Sequence, residues 1–307
     1  MAILRKLLVS AAVVAAVGGV ALWFLSAPDR LDAEAVGGLG DGDATRGEQV
    51  FWAGGCASCH AAPGATEDAR LSLGGGLRLE TGFGTFVAPN ISQDPQDGIG
   101  MWTAEDLANA MMRGVSPGGS HYYPAFPYTS YARMQPADIA DLSAFMKTLP
   151  AVAGTAPGHE LSFPFNMRRS LGLWKLLYLN DAPAVALGNP SDQVARGQYL
   201  VEGPGHCGEC HTPRDLIGGL ELAQWMAGAA AAEGDGNVPN ITPSDDGLGD
   251  WSDIDIVTLL ETGFTPDYDS VGGSMASVVR NMAELPASDR EAIAAYLKAI
   301  PPHPNGY

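Results

Sequence analysis

Positive charge is in short supply. The 307-residue chain has 17 lysines and arginines against 35 aspartates and glutamates, for a formal net charge of −18. The deficit grows along the chain, from +2 over residues 1–26 to −7 over 27–191 and −13 over 192–307. Such a surface repels nucleic acid, and its soluble part repels an anionic bilayer. It suits a basic protein partner, although solubility alone accounts for the charge equally well. Also missing are a glycine-rich phosphate loop after a strand and a nucleophile spaced beside a base. No strand-period run is long enough to build a sheet. Cysteine is rarest: there are four, too few for a disulfide framework once their spacing is read.

What is present starts with that spacing. Cys56-Ala57-Ser58-Cys59-His60 returns as Cys207-Gly208-Glu209-Cys210-His211, and the two copies use every cysteine. C-x-x-C-H is the pattern of a c-type haem attachment site: two thiols add to the porphyrin vinyls, and the next histidine reaches the iron as proximal ligand. A zinc half-site would need the two cysteine pairs to converge on one ion, and a redox dithiol needs no histidine. Two covalently bound haem c groups are therefore expected, on Cys56, Cys59 and His60 and on Cys207, Cys210 and His211. Covalent attachment of this kind resembles what is done outside the bacterial inner membrane, which points to a periplasmic compartment.

Leu7 to Ser26 is an uncharged run of 20 residues behind Arg5 and Lys6, about 30 Å as a helix, one hydrocarbon core. Asp29, Asp32 and Glu34 follow, which places the amino terminus inside and the rest outside. A cleaved signal peptide begins the same way, with Ala33-Glu34-Ala35 as small residues near a cleavage point. Its apolar region is ordinarily shorter, about 7–15 residues, so the run reads as a retained anchor. Residues 33–45 read as a flexible tether.

The chain then repeats itself. Pro89-Asn90-Ile91-Ser92 matches Pro239-Asn240-Ile241-Thr242, Gly98 to Thr103 matches Gly247 to Ser252, and Asp138 to Pro150 matches Asp289 to Pro301. Each copy predicts a helix before the cysteine motif and a middle helix capped by Thr103 or Ser252 and stopped by Gly114 or Gly263. A last helix opens at Pro136 or Pro286. The organisation is all-α: an anchor (or signal peptide) over 1–30, domains over 44–150 and 192–302, and a connector over 151–191 with a short apolar helix. That helix is expected to pack between the domains, and Arg168 and Arg169 either to pair with haem propionates or to lie on the surface.

Each half resembles a class I cytochrome c domain. The whole is similar to the haem c subunits of membrane-bound periplasmic dehydrogenases for alcohols, gluconate and aldehydes, through PNIS/PNIT, HYYPAFPYTSYARM (121–134), LSFPFNMRR (161–169), GHCGECHTPR (205–214) and GSMASVVRN (273–281). Those subunits usually carry three haems, whereas two attachment sites are present here. The resemblance implies a methionine as sixth iron ligand, from the loop before the last helix. Met275 matches the family position in the second domain, with Met282 in reserve as a core residue. In the first domain, relatives have YPAMPY where this chain has Phe126. Met134 is the remaining thioether and otherwise a hydrophobic staple at the helix start. His121, set opposite Met275 in the repeat, is the other candidate. Met111, Met112 and Met146 read as core. A carbonyl near Pro89 or Pro239 is expected to accept the proximal imidazole N–H. Trp102 and Trp251 pack on haem or in the core, and His206 reads as a surface residue.

These features together describe a dihaem cytochrome without catalysis of its own, tethered to the inner membrane with its domains in the periplasm. It would relay single electrons from a dehydrogenase subunit to a basic small cytochrome, a terminal oxidase or a quinone-linked complex. Two other readings remain. One is a haem enzyme, thiosulfate dehydrogenase-like or peroxidase-like, using a weakly ligated first haem. The other is an assembly subunit that docks a dehydrogenase.

Overall fold

In a computed structural model of the chain, residues 1–232 and 236–307 are described. Helix α1 (Ala2–Leu25) is apolar on every side and buries none of its residues, the pattern of a helix whose surroundings are not water. It is long and apolar enough to cross a membrane by length and composition. Residues 33–45 are not the free tether expected. Asp32 caps a short helix α2 (Ala33–Gly37), Leu39 is buried, and a Cβ on Gly42 would meet the Ala140 carbonyl oxygen at 2.1 Å. Apolar residues spaced along the segment tie it to the first domain.

The first repeat runs α3 (Ala44–Ala53), α4 (Cys56–His60), the hairpin β1 (Arg78–Thr81) and β2 (Gly84–Val87), then α5 (Ala104–Arg113), α6 (Tyr128–Tyr131) and α7 (Pro136–Met146). The connector holds β3 (Glu160–Leu161) and α8 (Leu171–Tyr178). The second repeat runs α9 (Asp192–Glu202), α10 (Gly208–His211), β4 (Ala229–Ala230), β5 (Asn237–Val238), α11 (Asp253–Thr262), α12 (Gly273–Met282) and α13 (Ala287–Ala299). The fold is mostly helical, as predicted. The short sheets β1-β2-β3 and β4-β5, both antiparallel, were not. The hairpin turns at Gly82 and Phe83, and β3 joins it through a two-pronged Arg78–Glu160 pair at 3.0 and 2.7 Å. Strands this short leave no readable alternation.

In each repeat the first and last helices cross at a glycine. A Cβ on Gly47 would lie 1.9 Å from the Asp141 carbonyl oxygen, and one on Gly197 1.9 Å from that of Ala292. Beside each crossing an arginine grips an acid with two bonds, Arg46 with Asp141 and Arg196 with Asp289. The middle helices carry the expected capping boxes, Thr103 with Asp106 and Ser252 with Asp255, and end at left-handed Gly114 and Gly263. One continuous apolar core spans both repeats, with Phe51, Leu73 and Ile139 from the first and Val201, Met226 and Tyr296 from the second.

Candidate haem-binding sites

Each cysteine motif is a single helical turn that follows the repeat's first helix, so residues i, i+3 and i+4 share one face. Both thiols and the imidazole of a motif therefore face the same way. His60 Nδ1 lies 2.8 Å from the Pro89 carbonyl and His211 Nδ1 2.8 Å from that of Pro239. A carbonyl only accepts, so each Nδ1 donates and each Nε2 keeps a bare lone pair. Burial holds both histidines below their usual pKa, against the opposing pull of those carbonyls, and the rings stay neutral.

The tandem motif P-N-I-S/T produces this geometry. Gly75 N donates to the His60 carbonyl at 2.7 Å, and Gly228 N to that of His211 at 2.9 Å. Both glycines are left-handed, and a Cβ on either would strike the proline–asparagine backbone at 2.5 to 2.7 Å. Asn90 then locks the turn by accepting from Ser92 N at 2.9 Å, and Asn240 from Thr242 N at 2.8 Å. Their amides pin the segment to the chain after the last helix, at Val152 and His303. The proline supplies the carbonyl, and the asparagine with the hydroxyl residue holds it on the imidazole.

Burial, reinforced by the neighbouring thiol, pushes Cys56 and Cys207 up to about 12. A dithiol redox centre needs the reverse, a stabilised thiolate. No cluster of three or more metal-binding side chains occurs among the described residues, so the two pairs do not converge on one ion. A pair of thiols beside a neutral imidazole with a bare Nε2 fits one covalent haem per motif.

Each motif also meets the opposite repeat across one interface. Asn281 Nδ2, on α12, donates to Ser58 Oγ inside the first motif at 2.7 Å. In the reciprocal place Thr129 and Ser130, on α6, donate to Glu209 Oε1 inside the second at 2.9 and 2.8 Å. Ser58 and Glu209 are equivalent in the repeat, as are Ser130 and Asn281, so the halves face each other about a local two-fold. His206, expected on the surface, sits within this interface: its ring lies 5.6 Å from that of Tyr131 and its Nε2 3.3 Å from the Gly54 carbonyl. Helix α8 bridges the halves as expected. Lys175 donates to the Arg113 and Gly114 carbonyls, and Trp174 and Tyr178 to Ile217 and Asp215.

Arg168, which is exposed, and Arg169, which is half-buried, are both bonded to protein groups. Arg168 donates to the His121 carbonyl and covers the Tyr123 ring, while Arg169 donates to Ser26 Oγ and the Trp23 carbonyl and covers the Trp23 ring.

The distal candidates separate. The turns Val115–His121 and Phe264–Ser270 match bond for bond, so His121 corresponds to Ser270 and not to Met275. His121 is buried with Nε2 3.0 Å from the Ser26 carbonyl. Met134 N donates to the Tyr131 carbonyl as Leu285 N does to that of Met282, and both residues are buried just before the last helix. That register makes Met134 a core residue, as leucine is in the second repeat. Met111, Met146 and Met282 are also core. Met275 stands in the first turn of α12, half-buried. Trp102 and Trp251 are half-buried too.

Residues 44–150 match the model of the cytochrome c family. Over 97% of its length the chain is 54% identical to a "diheme cytochrome c-type" protein of Cereibacter sphaeroides, covering 98% of that relative. The chain belongs to the dihaem cytochrome c family. It is also 38% identical over 85% of its length to the cytochrome c subunit of a quinone alcohol dehydrogenase of Gluconobacter oxydans, and 34% identical over 84% to the fructose dehydrogenase cytochrome subunit of Gluconobacter japonicus. Of those two it spans about half, 55% and 52%.

In this cytochrome, buried Trp225 and Glu202 escaped the sequence reading, and Tyr296, from the apolar stripe of the last helix, links them. Trp225 donates to Tyr296 Oη at 3.1 Å, and Tyr296 to Glu202 Oε1 at 2.6 Å. Glu202 also accepts from Ala184 N at 2.6 Å and faces Arg133 of the first domain at 3.9 Å. The Trp225 ring lies on Gly208, where a Cβ would come within 2.2 Å. The one visible signal was Gly208 itself, where the first motif has Ala57.

Proposed function

We propose that this cytochrome is a two-haem electron relay. One haem would be joined through Cys56 and Cys59 and held by His60, the other through Cys207 and Cys210 and held by His211 and Met275. The domains are 44–150 and 192–302, joined by 151–191. Haem supplies one-electron chemistry. The chain fixes each imidazole through Pro89 or Pro239 and holds the two sites at a set distance and angle. The reciprocal bonds Asn281–Ser58 and Ser130–Glu209 carry this reading. Each ties one attachment motif to the opposite repeat, which keeps the two sites on a shared interface, as short-range electron exchange requires.

By analogy with the alcohol and fructose dehydrogenase cytochrome subunits, the donor is a dehydrogenase subunit. The acceptor is a basic small cytochrome, a terminal oxidase or a quinone-linked complex, met by the acidic surface. Helix α1 tethers the protein to the inner membrane with both domains in the periplasm, a placement supported by exposed Leu176 and Leu177 on α8, beside the foot of α1.

Mass measurement of the mature polypeptide tests the core of the proposal. Two haem additions are expected, together with two one-electron waves on reductive titration. One addition, or none, would overturn it.

A further inference from the structure

The two repeats diverge on the distal side. Counting forward from the matched glycines Gly114 and Gly263, Met275 corresponds to Phe126. Counting back from Ser130 and Asn281, which occupy equivalent interface positions, it corresponds to Pro124. The second repeat is two residues longer between these marks. Wherever that difference falls, the residue in Met275's place is Pro124, Ala125 or Phe126, and no side chain of the three can donate to iron. The other donors are engaged elsewhere. His121 is held through Nε2 at the Ser26 carbonyl, and Met134 fills the core position of Leu285. The Phe126 ring lies 5.7 Å from that of Tyr122 and 5.6 Å from that of Tyr131. Tyr131 stands within electrostatic reach of both Cys56 and Cys59 and directs its hydroxyl to the Gly54 carbonyl. The first repeat therefore carries a cluster of aromatic rings in the stretch where the second carries the Met275 thioether.

We infer that the first haem's iron has no sixth ligand from the chain and binds a small neutral diatomic ligand, such as carbon monoxide or nitric oxide, beside Tyr122, Phe126 and Tyr131. Aromatic surroundings favour a neutral ligand over an anion. Small-ligand binding then belongs to the first half alone, while electron transfer uses both.

The inference rests on the two-haem reading, so mass is measured first on the full-length haem-loaded protein. A single haem addition overturns that reading and this inference with it. With two additions, the ferrous protein is titrated with carbon monoxide and the ferric protein examined for the long-wavelength thioether–iron band. One carbon monoxide per two haems is expected, with one thioether–iron band that Met275→Leu abolishes. Phe126→Met should block carbon monoxide and double the band, while Met134→Leu leaves both signals unchanged. Two thioether bands with no carbon monoxide bound would overturn the inference. So would loss of a band in Met134→Leu, or a new carbon monoxide site in His121→Gln, since either would reveal a hidden ligand.

Discussion

At the scale of single residues, the second site is charged where the first is not. Glu209 and Ser58 hold equivalent places, yet Glu209 brings a carboxylate into the interface. Burial pushes its pKa up, but the Arg214 guanidinium at 2.5 Å and two hydroxyls outweigh that and hold it below the usual range. A fixed negative charge near an iron favours the ferric state. Glu209→Gln removes it and leaves Arg214 unpaired, so both changes raise the second haem's potential. The expected rise is on the order of tens of mV for charges about 10 Å apart, read by optical redox titration. An unchanged or lower potential would contradict the argument. Gly208→Ala is expected to cost about 3 kcal/mol in denaturant unfolding, because the added methyl enters the Trp225 ring. The proximal donors were legible because five contiguous residues carry them, and the accepting prolines because a whole tetrapeptide repeats. Trp225 was not, because the partners that give it a role, Gly208 and Tyr296, lie far from it in sequence. On the distal side the pairing of His121 with Met275 failed for a related reason. A two-residue length difference slides the register there, and only matched hydrogen bonds settle it.

At the scale of elements, the helices were readable because each declares its own ends. Proline marks the last helices, hydroxyl–acid pairs cap the middle ones, and left-handed glycines stop them. Thr103→Ala and Ser252→Ala should each cost about 1 kcal/mol in urea unfolding, and by similar amounts, since the two boxes share one geometry. The crossing glycines are less tolerant. Helix backbones meet there with no room for a side chain, and moving them apart would also stretch the Arg46–Asp141 or Arg196–Asp289 grip. Gly47→Ala or Gly197→Ala is expected to lose about 3 kcal/mol or more. A substitution that changes the unfolding midpoint by less than its cap counterpart would contradict the close crossing. The sheets eluded prediction because their strands are only two to four residues long and one of them comes from a distant segment. Glu160 and Leu161, in the connector, extend the Gly84–Val87 strand, and two residues hold no period.

At the scale of the whole molecule, the question is how the foot of α1 meets the domains. Ser26, just past the helix, is buried. Its carbonyl takes the His121 ring and its hydroxyl the Arg169 guanidinium, and Gly172 has no side chain because the Ser26 carbonyl would lie 2.3 Å from its Cβ. Four residues on, Arg30 donates to the Ser116 and Pro117 carbonyls, and Leu31 N to Asn109 Oδ1. Residues 26–31 are therefore part of the first domain's packing, and removal of the chain as far as Ala33-Glu34-Ala35 would take them away. His121 already has an unpartnered buried Nδ1, so losing Ser26 strands the whole ring, and Asn109 loses an acceptor's partner. Each buried group left unsatisfied costs about 1–3 kcal/mol. A haem-loaded protein starting at Ser26 should thus unfold at the same urea concentration as the detergent-solubilised full chain. One starting at Val36 should be less stable by about 3 kcal/mol or more. The same contacts lead us to expect the full chain to leave membranes in detergent and to stay bound in high salt, since an apolar helix, unlike an acidic surface, is not released by screening. Equal stability of the two shortened proteins would mean that the segment only rests on the domain, and release by salt would mean that α1 does not enter the bilayer.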